Sequence, residues 1–112
     1  MTKDLKTLFA NRSDEAWRDA HAPEGLLSSS TRLKCLFDAG YFALLASASA
    51  EARDRASHHP DIEFIRGECA LASLPAEVGV RFAVNEHVPC DGERPSREEL
   101  AAWTSELRAR LL

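Results

Sequence analysis

The chain has 112 residues, of which 45% are hydrophobic and 29% are charged, so it can bury a core and is unlike a disordered segment in composition. Its net charge of −4 disfavours non-specific binding of nucleic acid through a broad basic surface. No apolar run approaches the ~20 residues of a membrane helix, and the N-terminus lacks the apolar core of a secretory signal. We expect residues 1–112 to form one domain without a membrane association.

The first thirty residues predict two helices and a linker. Residues 2–10 favour a short helix with its leucines on one side. Ser13 is expected to cap a second helix, because two acidic residues follow it where the helix dipole stabilises negative charge. This second helix should turn Trp17 and Ala20 inward. A proline and a glycine then predict a linker over residues 22–30.

The longest predicted helix lies in "STRLKCLFDAGYFALLASASAEARDRAS", where apolar residues recur at spacings of three and four. Ser30 or Thr31 is the expected cap, and Arg32 falls off the apolar stripe. Gly40 lies within the stripe and costs about 1 kcal/mol of helix propensity, which predicts close packing against another helix there. The composition becomes small and polar after Ala46, so we expect the helix to end in the fifties.

A further helix is predicted after residue 59. Pro60 suits its first position, His59 is the expected cap and Asp61 should lie in the first turn. Its apolar residues fall on two sides, which predicts a helix covered on two faces. One side is formed by Ile62, Ile65, Cys69 and Ala72, and the other by Phe64, Leu71 and Leu74.

Residues 78–84 are ambiguous, because every second residue from Val78 to Val84 is large and apolar, which is the period of a strand. Val78 and Phe82 also fit one face of a helix. A lone strand would have no partner in a chain that is otherwise predicted to be helical. We therefore predict a helix, with tertiary packing overriding β propensity.

The last helix is predicted from a capping box, since Ser96 is followed three residues later by Glu99. A turn is expected before it at Asp91–Gly92. The whole pattern predicts an all-α fold, a single bundle of four or five helices in an up-and-down arrangement. The expected core residues are Trp17, Leu36, Phe37, Tyr41, Leu44, Ile62, Ile65, Phe82, Trp103 and Leu107.

Metal or nucleophile chemistry has little support in the sequence. His87 and Cys90 form one close pair that Cys69, His58 and His59 could join, but a structural zinc site usually has two such pairs. No GxSxG, HExxH, glycine-rich phosphate loop or EF-hand pattern occurs. We therefore predict no metal and no cofactor. The three widely spaced cysteines are typical of reduced thiols in the cytoplasm.

Two arginine–histidine spacings remain as candidate sites. Arg53 precedes His58 by five positions, and Arg81 precedes His87 by six. With these spacings and the central segment "SSSTRLKCLFDAGYFALLASA", residues 13–110 resemble the HEPN superfamily of small all-helical domains. The resemblance implies a helical fold. It also implies, for the ribonucleases of the family, an arginine–histidine pair that meets its copy across a dimer. By order along the chain, Arg81 and His87 match that pair better.

Two functional hypotheses follow. A polar residue usually follows the arginine in HEPN ribonucleases, but Phe82 stands there, so the leading hypothesis is a non-enzymatic module that binds a protein partner or a second copy of itself. The alternative is a metal-independent ribonuclease. In it, His87 would activate the 2′-hydroxyl of RNA, and Arg81 would stabilise the phosphorane. Arg53 and His58 are the second choice for this pair.

A structural explanation also exists for both pairs. Cations near a helix C-terminus satisfy its dipole and its terminal carbonyls. Moreover, positions six apart on one continuous helix lie ~120° apart around its axis. Arg81 and His87 can therefore converge only if their helix ends before His87.

Overall fold

The computed structural model describes residues 5–23, 25–57, 60–87 and 94–112, apart from the side chains of residues 86 and 87. This described part contains six helices and no strand, which confirms the predicted all-α bundle. The number of helices is one more than the four or five predicted. The helices are α1 (Leu5–Ala20), α2 (Ser29–Ser47), α3 (Ala50–Ala56), α4 (Ile62–Leu71), α5 (Glu77–His87) and α6 (Arg97–Leu111). None of them combines the length and the apolar character that crossing a membrane requires.

The helices α1 and α2 form an antiparallel hairpin. Near the start of α2, Arg32 Nη1 donates to the carbonyl of Ala20 (2.6 Å), the last residue of α1, and to that of Ala22 (2.9 Å) just after it. Halfway along the pair, the buried Ser13 Oγ donates to Ala39 O at 2.7 Å. The predicted helix start at Ser13 is therefore wrong, because its hydroxyl bonds the neighbouring helix instead of a local amide and α1 runs through it unbroken.

The helices α2 and α6 run parallel, so they begin at the same end of the molecule. Ser96, the N-cap of α6, lies beside the first turn of α2, and two turns later Thr104 Oγ1 donates to Leu36 O at 2.7 Å. A Cβ atom on Gly40 would lie 2.8 Å from Cζ3 of Trp103. The close packing predicted at Gly40 is therefore confirmed, and α6 is the helix that approaches there.

Aromatic rings fill the centre of the bundle. The ring centroids of Phe37 and Phe82 are 4.8 Å apart, and those of Phe37 and Tyr41 are 5.7 Å apart. Trp17 and Ile62, two predicted core residues, are only partly buried at the edge of this core. The other eight predicted core residues are buried, namely Leu36, Phe37, Tyr41, Leu44, Ile65, Phe82, Trp103 and Leu107.

The central helix is shorter than predicted. It ends at Ser47 instead of in the fifties, because Ser49 accepts a hydrogen bond from a backbone amide and caps the separate helix α3. Its N-cap also lies two or three residues earlier than predicted. Ser28, and not Ser30 or Thr31, is the N-cap of α2, since its Oγ accepts from the amide of Thr31 at 3.1 Å.

The start of α4 also differs from the prediction. Asp61 is its N-cap and accepts from the amide of Phe64 at 3.1 Å, so Pro60 is not the first helical residue. A carboxylate that takes a backbone amide outweighs the preference of proline for the first turn. The predicted cap His59 and the predicted turn Asp91–Gly92 lie outside the described residues.

The ambiguous segment 78–84 is helical and belongs to α5, as predicted. Val80 and Phe82 are both buried, because α5 packs between α4 and α6 and is covered from more than one side. In α4, Phe64 is buried as expected, but Leu71 is 81% exposed. The prediction that Leu71 is covered is therefore wrong, because Leu71 lies on the outer side of α4 with the exposed Gly67, whereas Cys69 in the same turn is fully buried.

Candidate functional site

Arg53, the arginine of one predicted pair, closes the C-terminal end of α2. Its Nε donates to Leu45 O at 2.8 Å, and its Nη2 donates to the carbonyls of Ala46 (3.3 Å) and Ala48 (2.9 Å). The last carbonyls of a helix have no intrahelical donor, so a cation there stabilises the helix end. The predicted partner His58 lies outside the described residues.

Arg81, the arginine of the preferred pair, connects α5 to α6. Its Nη2 lies 2.7 Å from Glu99 Oε2, while Glu99 Oε1 accepts from the backbone amide of Ser96 at 3.1 Å. The capping box predicted from Ser96 and Glu99 is thereby confirmed. The hydrogen bond from Ser96, and then that from Arg81, lowers the pKa of the Glu99 carboxyl. The carboxylate therefore stays charged near neutral pH and holds Arg81 against α6.

His87, the predicted partner of Arg81, is the last residue of α5, and its side chain lies outside the described atoms. The backbone of α5 continues from Arg81 through His87 as one helix. The two positions consequently lie ~120° apart around the helix axis. The condition for convergence, a helix that ends before His87, does not hold for this backbone.

The two described cysteines are protonated thiols near neutral pH. Cys69 is fully buried, and this burial raises its pKa to about 11. Cys35 is partly buried, and its pKa is raised first by burial and then by the negative charge of Asp19. A protonated thiol is a poor nucleophile and a poor metal ligand. Among the described residues, which exclude Cys90, no group of three or more His, Cys, Asp or Glu side chains is placed to hold a metal.

A cavity of about 200 Å³ lies between the starts of α2 and α6. Ser29 and Arg32 line it from α2, and Ser96 and Arg97 line it from the start of α6. No Asp or Glu is among the described residues that line it. The remaining lining residues are apolar, namely Leu27, Leu33 and Pro95.

Arg32 is the most deeply buried charged residue that lines this cavity, with only 3% of its surface exposed. Its Nη1 is engaged by the carbonyls of Ala20 and Ala22, whereas its buried Nη2 has no hydrogen-bond partner in the described part of the chain. The sequence pattern did not indicate that Arg32 is buried, because Arg32 lies off the apolar stripe of α2. It is the end of α1 that covers this side chain. A cation can satisfy the last carbonyls of a helix, but the approach of Arg32 to the end of α1 depends on topology, which the local sequence does not show.

Comparison of the chain with protein-family models, with curated proteins and with solved structures finds no match in any of the three. The resemblance to HEPN domains stays a prediction. The functional argument therefore rests on the contacts of the described residues.

Proposed function

We propose that the chain is a small helical binding module without catalytic activity of its own, similar to HEPN-like accessory domains. The observation that carries the proposal is the engagement of both candidate arginines. Arg53 donates to three carbonyls at the end of α2, and Arg81 is paired with Glu99 at 2.7 Å. A catalytic arginine has to contact the phosphate group on which charge develops. Guanidinium groups that already stabilise helix ends and helix contacts support a structural role.

The backbone of α5 supports the same proposal. Arg81 and His87 lie on one continuous helix at positions ~120° apart around its axis. A base and a cation that act on one phosphodiester need to approach the same groove. This arrangement favours the binding module over the ribonuclease within a single copy of the chain.

The module would act through a protein partner or through a second copy of the chain. We place it in the cytoplasm, because Cys35 and Cys69 carry free thiols that are typical of a reducing compartment. Leu26 and Leu71 are 71% and 81% exposed and offer apolar contact area to such a partner.

An RNA-cleavage assay tests the proposal. Wild-type protein is incubated with single-stranded and structured RNA in the presence of EDTA, because the alternative chemistry needs no metal. We expect intact RNA with the wild type and with His87→Ala. Cleavage by the wild type that is lost in His87→Ala and Arg81→Gln would establish the ribonuclease instead. Arg66→Gln, which removes an exposed arginine on α4, is the matched control.

Light scattering after size-exclusion chromatography tests the association. A single chain has a mass of 12.4 kDa, and a homodimer would have twice that mass. We expect either the dimer or a stoichiometric complex with a partner that remains stable on dilution. A protein that stays strictly monomeric and captures no partner would count against a binding module.

A further inference from the structure

We propose that the cavity between the starts of α2 and α6 binds a small molecule through an oxyanion, either a phosphate or a carboxylate group. This inference rests on the proposed function, because it names the class of ligand that the binding module takes. It does not involve the arginines of the two arginine–histidine pairs, since neither Arg53 nor Arg81 lines this cavity.

Two helix N-termini meet at the cavity. The N-caps Ser28 and Ser96 each satisfy one amide in the first turn. Helix geometry leaves the first two amides of each helix without an intrahelical acceptor, namely those of residues 29–30 and 97–98. Both helices are long, with 19 residues in α2 and 15 in α6, and both direct the positive end of their dipole towards this end of the molecule. Such termini favour anions.

The acidic side chains in the first turn of α6 do not occupy the cavity at the two helix N-termini. Glu99 is directed to the amide of Ser96 and to Arg81, and it does not line the cavity. Glu98 is exposed and does not line the cavity either. The described lining therefore combines two helix N-termini with the cations Arg32 and Arg97.

Arg32 supplies an observation that is independent of the helix ends. Its guanidinium is buried, and none of the described carboxylates forms an ion pair with it. The carbonyls of Ala20 and Ala22 accept from Nη1, but they carry no charge to balance the cation, and Nη2 has no described acceptor. A buried cation without a counter-charge is unfavourable. An oxyanion in the cavity, which Arg32 lines, would provide that charge.

The size and lining of the cavity limit the ligand. Its volume of about 200 Å³ is below the about 300–1,000 Å³ of sites for drug-sized ligands. It therefore suits an inorganic anion or a small metabolite that carries one anionic group. The hydroxyl of Ser29 can donate to such a group, and Leu27, Leu33 and Pro95 can contact a short carbon portion.

Titration followed by NMR tests the inference. The ¹⁵N-labelled wild-type chain is titrated with inorganic phosphate and, separately, with acetate, while chloride keeps the ionic strength constant. We expect saturable shifts of the amide signals of residues 29–30 and 97–98. Saturation by phosphate alone identifies a phosphate site, by acetate alone a carboxylate site, and by both a general oxyanion site. Saturation by neither anion, or an equal response to chloride, overturns the proposal.

Three variants localise the binding. Ser29→Trp fills the cavity and keeps the contacts of Arg32 with α1, whereas Arg32→Gln removes the charge. We expect each to weaken the binding of the saturating anion about tenfold or more, because Ser29→Trp occupies the space of the anion and Arg32→Gln removes a charge that attracts it. Arg66→Gln, outside the cavity, should leave the affinity unchanged. If Arg32→Gln loses its helical circular dichroism, Ser29→Trp decides alone, and wild-type affinity in Ser29→Trp contradicts the proposal.

These results separate the two proposals. RNA cleavage by the wild type would overturn the proposed function without altering the anion titrations. A cavity that binds neither phosphate nor acetate would overturn the oxyanion site, and it would leave a module that binds proteins.

Discussion

The parallel pair of α2 and α6 is closed in its middle and open at its N-terminal end. In the middle, the ring of Trp103 lies against Gly40 of α2 and Gly79 of α5, and Thr104 donates to a carbonyl of α2. At the open end, the same two helices are separated by the cavity that Arg32 lines. One pair of helices thus has a region of tight packing and a region that contains a cavity.

The two regions also differ in whether their polar groups have hydrogen-bond partners. In the middle, Trp103 Nε1 donates to Pro75 O at 2.8 Å, and Thr104 Oγ1 donates to Leu36 O at 2.7 Å. At the open end, Arg32 Nη2 has no described acceptor. In the described part of the chain, the polar groups of Trp103 and Thr104 in the middle have acceptors, whereas one nitrogen of Arg32 at the open end has none. This contrast assigns a structural role to the middle, and the oxyanion proposal concerns only the end.

Removal of the Trp103 ring should have the largest effect on the closed middle. Trp103→Ala deletes a buried side chain and leaves Pro75 O without its donor, so we expect a loss of about 3–5 kcal/mol in the free energy of unfolding. Urea denaturation followed by far-ultraviolet circular dichroism measures it. Trp17→Ala, at a partly buried tryptophan on α1, is the control and should cost clearly less. Equal losses for the two variants would show that the middle is not the main source of stability.

A methyl group added at Gly79 should also disturb the packing in the middle, because it would overlap the ring of Trp103. A Cβ atom there would overlap Cη2 and Cζ2 of Trp103, whose ring is held by Pro75. We expect Gly79→Ala to lose about 1–3 kcal/mol of stability, even though alanine is the better helix former.

Gly67→Ala in α4 is the matched control for this substitution. Apart from its chain neighbours and the backbone of its own helix, no described atom lies within 4 Å of its Cβ position, so we expect a gain of about 0.5–1 kcal/mol from helix propensity alone. If thermal denaturation shows that both alanine variants are stabilised, the ring of Trp103 does not close the middle of the pair.

The closed middle could be predicted in part from the sequence, because its signals are local. Gly40 lies within an apolar stripe of helical period, which indicates close approach of another helix. Ser96 and Glu99 have the spacing of a capping box, which fixes the start of α6. Neither signal predicted which helix packs against Gly40, because the approach of α6 depends on topology and not on the local sequence pattern.

The open end could not be predicted, because it depends on which helix ends meet. Arg32 is off the apolar stripe of α2, and its burial requires the antiparallel α1 to end over it. The prediction of Ser13 as a helix cap was wrong for a similar reason. Its hydroxyl donates to Ala39 O, which is 26 residues away and cannot be identified from the local sequence. The cavity itself arises from the parallel starts of α2 and α6, which no single segment of the sequence encodes.

Removal of one hydroxyl in the middle should have a smaller effect. Thr104→Val keeps the branched shape but loses the buried hydrogen bond to Leu36 O, so we expect a loss of about 1 kcal/mol. Ser105→Ala, at the next and exposed position of α6, should change stability by less than about 0.5 kcal/mol. Chemical denaturation of the two variants under one condition gives the comparison. A Thr104→Val protein as stable as the wild type would show that this hydrogen bond does not stabilise the middle.

The smallest expected effect is a pH dependence at the start of α6. The amide of Ser96 and the guanidinium of Arg81 lower the pKa of Glu99 below its value in the unfolded chain, which is about 4.3. A carboxyl group with a lowered folded pKa stabilises the fold above its unfolded pKa. That contribution is lost as the pH falls through the folded value. Glu99→Gln keeps an oxygen for the amide of Ser96 but loses the ion pair with Arg81.

Glu99→Gln should therefore be less stable than the wild type at pH 7, and the difference should disappear once Glu99 is protonated in both folded and unfolded chains. A double-mutant cycle with Arg81→Gln, measured by urea denaturation at neutral and at acidic pH, isolates the contribution of the pair. We expect a favourable coupling at neutral pH and none in acid. The contacts that close the middle come from Trp103, Thr104 and two glycines, which do not titrate in this range, so Thr104→Val should cost the same at both pH values. A coupling that persists in acid would show that Arg81 is held to α6 by something other than the Glu99 carboxylate.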